Sequence, residues 1–143
     1  MMKVIVINGP NLDMLGRREP VYGSLSLKEI EKRLTEEAEK LGVEIVCFQS
    51  NHEGELIEKI HSACENFDAI IINPGGLTHY SVSLRDALAI FKGKKVEVHL
   101  SNIFSREDYR KKTITGEAVD AVIAGFGPDV YLVALKALVE LYG

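Results

Sequence analysis

Glu97, His99 and Tyr22 are the side chains best suited to move protons in this chain. Glu97 and His99 sit two apart in the run Lys95-Val-Glu-Val-His-Leu100, whose alternation is that of a strand, so both side chains face one way. A carboxylate so placed fixes the tautomer and orientation of an imidazole, which is how a general acid or base is commonly held. A hydrogen-bonded core pair is the alternative. Tyr22 ends the charged stretch Leu15-Gly-Arg-Arg-Glu-Pro-Val-Tyr22, in which Arg17 and Arg18 are adjacent. A free phenol has a pKa of about 10, too high for an efficient base at neutral pH, and nearby cations favour the phenolate. An exposed basic loop anchored by its tyrosine is the alternative there.

The other candidate groups read differently. Arg106 and Arg110 lie four apart, on one face if the stretch is helical, and a solvated face is the usual explanation. His52 precedes a helical segment and His61 lies within it, so both read as solvated or capping residues. No set of His, Cys and carboxylates has metal-ligand spacing, and the two cysteines, Cys47 and Cys64, read as reduced core thiols. Neither a dinucleotide fingerprint nor a P-loop is present, and a phosphoacceptor receiver would need acids where Asn8 and Asn73 stand. The expectation is therefore no metal and no cofactor.

Positioning these residues requires a sheet. Apolar, β-branched runs alternate with segments of helical period, the pattern of parallel strands covered by helices. The strands drawn are Lys3 to Asn8, Val43 to Gln49, Ala69 to Asn73, Lys95 to Leu100 and Ala118 to Gly125. Leu27, Ile30, Leu34, Ala38 and Leu41 mark a first helix, with Ser26 and Glu29 spaced as a capping box and Gly42 as its stop. Leu56 to Ala63, Val82 to Phe91 and Val130 to Leu141 mark three more, and the loop Asn102 to Glu117 holds at most a short helical turn. Five alternations in 143 residues point to a flavodoxin-like, doubly wound α/β fold with strand order 2-1-3-4-5, and to a single domain over 1–143.

In such a sheet the ligand lies beyond the carboxyl ends of the strands, where strand order reverses. Three polar clusters fall there: Asn8-Gly-Pro-Asn11, Asn73-Pro-Gly-Gly-Leu-Thr-His79 and Glu97-Val-His-Leu-Ser-Asn102. Gly-Pro and Pro-Gly-Gly are also common turn formers, so either glycine loop alone could be purely structural.

Bulk properties narrow the partners. A net charge of −4 argues against a general nucleic-acid binder. Hydrophobic content of 46% with charged content of 27% and no long apolar run suggests a soluble protein off the membrane, and the absence of a signal-like N-terminus suggests a cytoplasmic one. The long, charged connection before the first helix has the character of an active-site lid or a mobile surface loop. A small-acid sensor without chemistry would not need Tyr22, Glu97 and His99 together. A Schiff-base enzyme would need a lysine at the crevice, whereas Lys3, Lys94 and Lys95 sit at the wrong strand ends.

GPNLDMLGRREPVYG, QSNHEGELIEKIH, NPGGLTHYSVSLRDAL and EVHLSNIFSREDYRK resemble, in order and over nearly the whole chain, the signature blocks of the type II 3-dehydroquinate dehydratases. The resemblance implies a hydro-lyase of the shikimate pathway that removes water from 3-dehydroquinate by anti elimination through an enolate. It implies Tyr22 as the base, activated by Arg18 and Arg17, and Asn11 as the holder of a water that stabilises the enolate. His99, oriented by Glu97, protonates the leaving hydroxyl; Asn73, His79 and Arg110 hold ring hydroxyls, and the amides of Leu100 and Ser101 take the carboxylate. Arg106 helps hold the closed lid, and Asp86 reaches into a neighbouring subunit of a homododecamer built as a tetramer of trimers. One departure stands out: only Val21 separates Pro20 from Tyr22, where the family usually has two residues.

Overall fold

The computed structural model describes residues 1–143. Its strands are β1 (Lys3–Asn8), β2 (Glu44–Gln49), β3 (Ala69–Asn73), β4 (Lys94–His99) and β5 (Ala121–Ala124). All are parallel, in the order β2-β1-β3-β4-β5. The helices are α1 (Leu27–Leu41), α2 (Glu53–Ala63), α3 (Val82–Ile90) and α4 (Val130–Tyr142). This is the expected flavodoxin-like topology.

Strand alternation sorts the core into two layers. Val4 and Val6 of β1, Ile71 of β3 and Val96 and Val98 of β4 pack with α1 and α4. Ile5, Ile7, Ile70 and Ile72 pack on the other face with Leu56 and Ile60 of α2 and Leu84 and Leu88 of α3. Burying each such side chain contributes roughly 1.5–3 kcal/mol. Because Val96 and Val98 occupy one layer, Glu97 and His99 must point into the other, at the ends of strands that the core holds rigid.

Helix α1 begins as its sequence requires. Ser26 Oγ accepts from Glu29 N and Glu29 Oε1 accepts from Ser26 N, while Gly42 closes the helix at φ 69°. Three expectations need correction. The segment from Asn102 to Glu117 forms three 3-10 turns, at Ile103–Ser105, Asp108–Arg110 and Thr115–Ala118. The last of these occupies the drawn start of β5, which begins only at Ala121; the turn supplies the buried Thr115 and packs on α3. Cys64 is exposed and Cys47 half-buried, so neither is a full core thiol. Burial pushes the Cys47 thiol up to about 12.

Candidate active site

The carboxyl ends of β1 and β3 are adjacent, with Asn8 paired to Asn73. The loops that follow them touch backbone to backbone: Gly9 N donates to Asn73 O at 2.8 Å. A Cβ on Gly9 would lie 2.6 Å from Pro74 O, and one on Gly75, at φ +61°, would lie 2.9 Å from Pro10 O. These two glycines therefore have a steric reason, and the approach they allow makes one wall of a recess. That recess, counted together with the open solvent at its mouth, spans about 440 Å³ of non-atom space. Tyr22, Arg18, Asn73, His79, His99, Leu100, Ser101, Arg106 and Arg110 all line it.

At its floor His99 Nε2 meets Glu97 Oε2 at 2.7 Å. Glu97 is wholly buried and His99 is 6% exposed. Oε2 also accepts from Thr78 Oγ1 at 2.8 Å and Thr113 Oγ1 at 2.9 Å, and Oε1 accepts from Thr115 Oγ1. Burial alone would raise the Glu97 pKa. The hydrogen bond and charge of His99, with those of Thr115 and Thr78, outweigh it and hold the carboxyl below its ordinary range.

The opposite wall is built from loops. Pro20–Tyr22 forms a 3-10 turn that delivers Tyr22 to the recess with its ring 8% exposed, despite the single intervening residue. Arg106 Nη1 donates to Tyr22 Oη at 2.7 Å and to Ser101 Oγ at 3.2 Å. The guanidinium of Arg18 lies 4.0 Å from the Tyr22 ring centroid and that of Arg106 5.0 Å. Arg106 and Arg110 are thus half-buried cavity residues, not a solvated helical face. Burial works against the Arg110 cation, but Tyr22, Glu107 and Tyr109 offset it and raise its pKa.

Side walls carry the remaining polar groups. His79 Nδ1 meets Lys112 O at 2.7 Å, where an N–H must donate, leaving Nε2 for a ligand. The amides of Leu100 and Ser101 have no backbone acceptor, so they are available to an anion. Asn73 Nδ2 donates to Tyr131 Oη at 3.1 Å, and its Oδ1 accepts from Gly75 N at 3.1 Å. No lysine lines the recess; Lys94 and Lys95 begin β4 at the far end.

The comparisons with known proteins agree over the whole length. The family model for Dehydroquinase class II matches residues 2–139. The chain belongs to the class II dehydroquinase family. It is 52% identical over 143 residues to a 3-dehydroquinate dehydratase of Pelotomaculum thermopropionicum, covering 99% of each chain. It is 54% identical over 140 residues to one of Carboxydothermus hydrogenoformans, covering 97% of this chain and 91% of the other. The crystal structure of the type II dehydroquinase from Butyrivibrio crossotus superposes with a TM-score of 0.94 at 44% identity, over 96% of this chain and 97% of that one. The enzyme from Propionibacterium acnes gives 0.95 at 35% identity, over 98% and 97%.

Some class II dehydroquinase site positions of the sequence reading fall outside the recess. Asn11 is exposed, at φ 70°, with its amide donating to Asn51 Oδ1. Arg17 is exposed and lines a separate groove beside Ser26 and Lys28. Asp86 is exposed on α3, paired with Arg85 at 3.4 Å. Conversely, the sequence reading missed Thr113, Thr115 and Tyr131. Tyr131, fully buried on α4, donates to Asn8 Oδ1 while accepting from Asn73, and so fixes the Asn73 amide. A polar tip at an inward position of a mostly apolar helix was its one signal.

Proposed function

We propose that the chain is a hydro-lyase that converts 3-dehydroquinate to 3-dehydroshikimate in the shikimate pathway, toward aromatic amino acids. Family membership supports the reaction. The observation that carries it to residues is that one recess holds a phenol braced by two guanidiniums and, elsewhere on its wall, an imidazole braced by a buried carboxylate.

Tyr22, as phenolate, removes a proton from carbon 2, and the electron pair moves to the carbon 3 oxygen as an enolate. Arg106 donates to the phenol oxygen and Arg18 lies over the ring, so both place positive charge beside the base. The family resemblance further gives Asn11, which lies outside the recess, a water that carries part of the enolate charge, and gives Arg17 a place in the lid. Collapse of the enolate then expels the carbon 1 hydroxyl, which takes the proton of the His99 imidazolium and leaves as water. Glu97 keeps that imidazolium aimed. The elimination balances with one base and one acid, so no electron carrier enters it. Asn73, His79 and Arg110 hold ring hydroxyls, and the amides of Leu100 and Ser101 take the carboxylate. Asp86, exposed on α3, completes the recess of a neighbouring copy in a homododecamer built as a tetramer of trimers.

The test is a direct ultraviolet assay of purified protein with 3-dehydroquinate, with and without a chelator. Growth of the conjugated-product band in both is expected. No absorbance change, or borohydride trapping of a substrate adduct, would defeat the reading.

A further inference from the structure

Glu97 holds more hydrogen-bond donors than an orienting carboxylate needs. His99, Thr78, Thr113 and Thr115 converge on its two oxygens in a space without solvent, flanked in the sheet by Ile72 and Val122. The hydroxyls also touch one another, Thr78 Oγ1 to Thr113 Oγ1 at 2.5 Å and to Thr115 Oγ1 at 2.8 Å.

We propose that Thr78, Thr113 and Thr115 are positioning residues for the elimination, locking the Glu97 carboxylate in the rotation that presents Oε2 to His99 and so aiming the acid's proton. This rests on the function proposed above. Each hydroxyl has one proton, and Gly116 N already donates to Thr113 Oγ1 at 2.9 Å, which leaves the Thr113 proton for Glu97 or Thr78. An ionised carboxylate, which only accepts, suits a shell made almost wholly of donors. Other charged groups on this face are engaged elsewhere. Lys95, one step back on the strand face, donates to Leu88 O and Phe91 O at the end of α3. Arg85 of α3 pairs with Asp86 and Glu117 at the surface, and His79 meets Lys112 O. His99 is the one ionisable group in contact with Glu97.

Thr113 and Thr115 belong to the same segment as Arg106 and Arg110. The loop that brings cations to the base therefore also locks the acid. Ile114 N donating to Thr78 O at 2.7 Å ties that segment to the loop after β3.

Thr115→Val keeps the shape and removes the hydroxyl. It should lower kcat by about tenfold to a hundredfold with KM changed less than about threefold. Thr115→Ser should restore most of the rate. In the free protein, the Glu97 carboxyl carbon, followed by NMR, should titrate about one pH unit higher in the valine variant, because a bond favouring the charged form is gone. Should Thr115→Val fail to fold, Thr113→Val, at a half-buried position, carries the same expectations. A parental kcat together with a parental Glu97 titration in the folded valine variant would overturn the proposal. The titration needs no substrate, so it judges the threonines even if the protein proves inert toward 3-dehydroquinate.

Discussion

The floor of the recess and its loop-built wall, to which the proposed function gives complementary proton transfers, have opposite construction. His99 and Glu97 end a central strand, are almost wholly buried, and are fixed by hydrogen bonds from three threonines. Tyr22 stands on a three-residue turn in a loop, and its recorded polar partner is a guanidinium from another loop. A buried, saturated carboxylate is expensive to disturb, whereas a phenol held by loop arginines depends on how the lid folds down. The imidazole and its carboxylate are thus held by the sheet, whereas the phenol is held by loops.

The largest effect should come from the lid side. Tyr22→Phe keeps the ring and removes the base, so kcat should fall by at least about a thousandfold, roughly 4 kcal/mol. Ligand affinity should be nearly unchanged while deuterium exchange at carbon 2 disappears. Turnover within about tenfold of the parent would mean that Tyr22 is not the base.

His99→Ala should cost about 10²–10⁴ in kcat, the usual weight of a general acid. Exchange at carbon 2 should remain measurable by NMR, since the base is intact. Loss of both steps together would merge the two halves of the comparison into one unit.

Arg106→Ala removes the donor to the Tyr22 oxygen, and hydrogen bonds to charged groups are worth about 1.5–3 kcal/mol, or some tenfold to a hundredfold in rate. Arg18→Ala, which removes a cation stacked on the ring rather than bonded to the oxygen, should cost less. The reverse ranking in measured kcat would shift the activating role to Arg18.

On the floor side, the test is pH itself. Glu97 is held below its ordinary pKa, so its contribution to stability is fully present above the unfolded value of about 4.3. That contribution is lost as pH falls through the folded value. Thermal unfolding scans should show Tm falling below about pH 4, and Glu97→Gln should flatten that slope while lowering Tm at neutral pH. An unchanged slope would show that Glu97 does not report the floor's stability.

The smallest effect is a control that touches neither wall. Ser26→Ala breaks the capping box of α1 and should cost about 1 kcal/mol, seen as a Tm lower by about 2–4 °C. kcat should stay at the parental value; a fall would show that the start of α1 helps to fold the lid.

Much of this architecture was written locally in the chain. Apolar, β-branched runs placed four strands within a residue or so, because that composition is a property of each strand's own sequence. The Ser26, Glu29 and Gly42 signals fixed α1 for the same reason, and strand parity alone put Glu97 and His99 on one face. What spacing could not convey depends on segments far apart in sequence. Arg106 meets Tyr22 across 84 positions and Tyr131 meets Asn8 across 123, and the need for glycine at position 9 comes from Pro74. The segment from Asn102 to Glu117 has no apolar period to announce its three turns, and its threonines gain meaning only when the sheet sets Glu97 beneath them. The chain's own pattern determined which residues could carry protons; tertiary packing decided which donors surround them, because a buried charge is satisfied by whatever groups the fold brings to it.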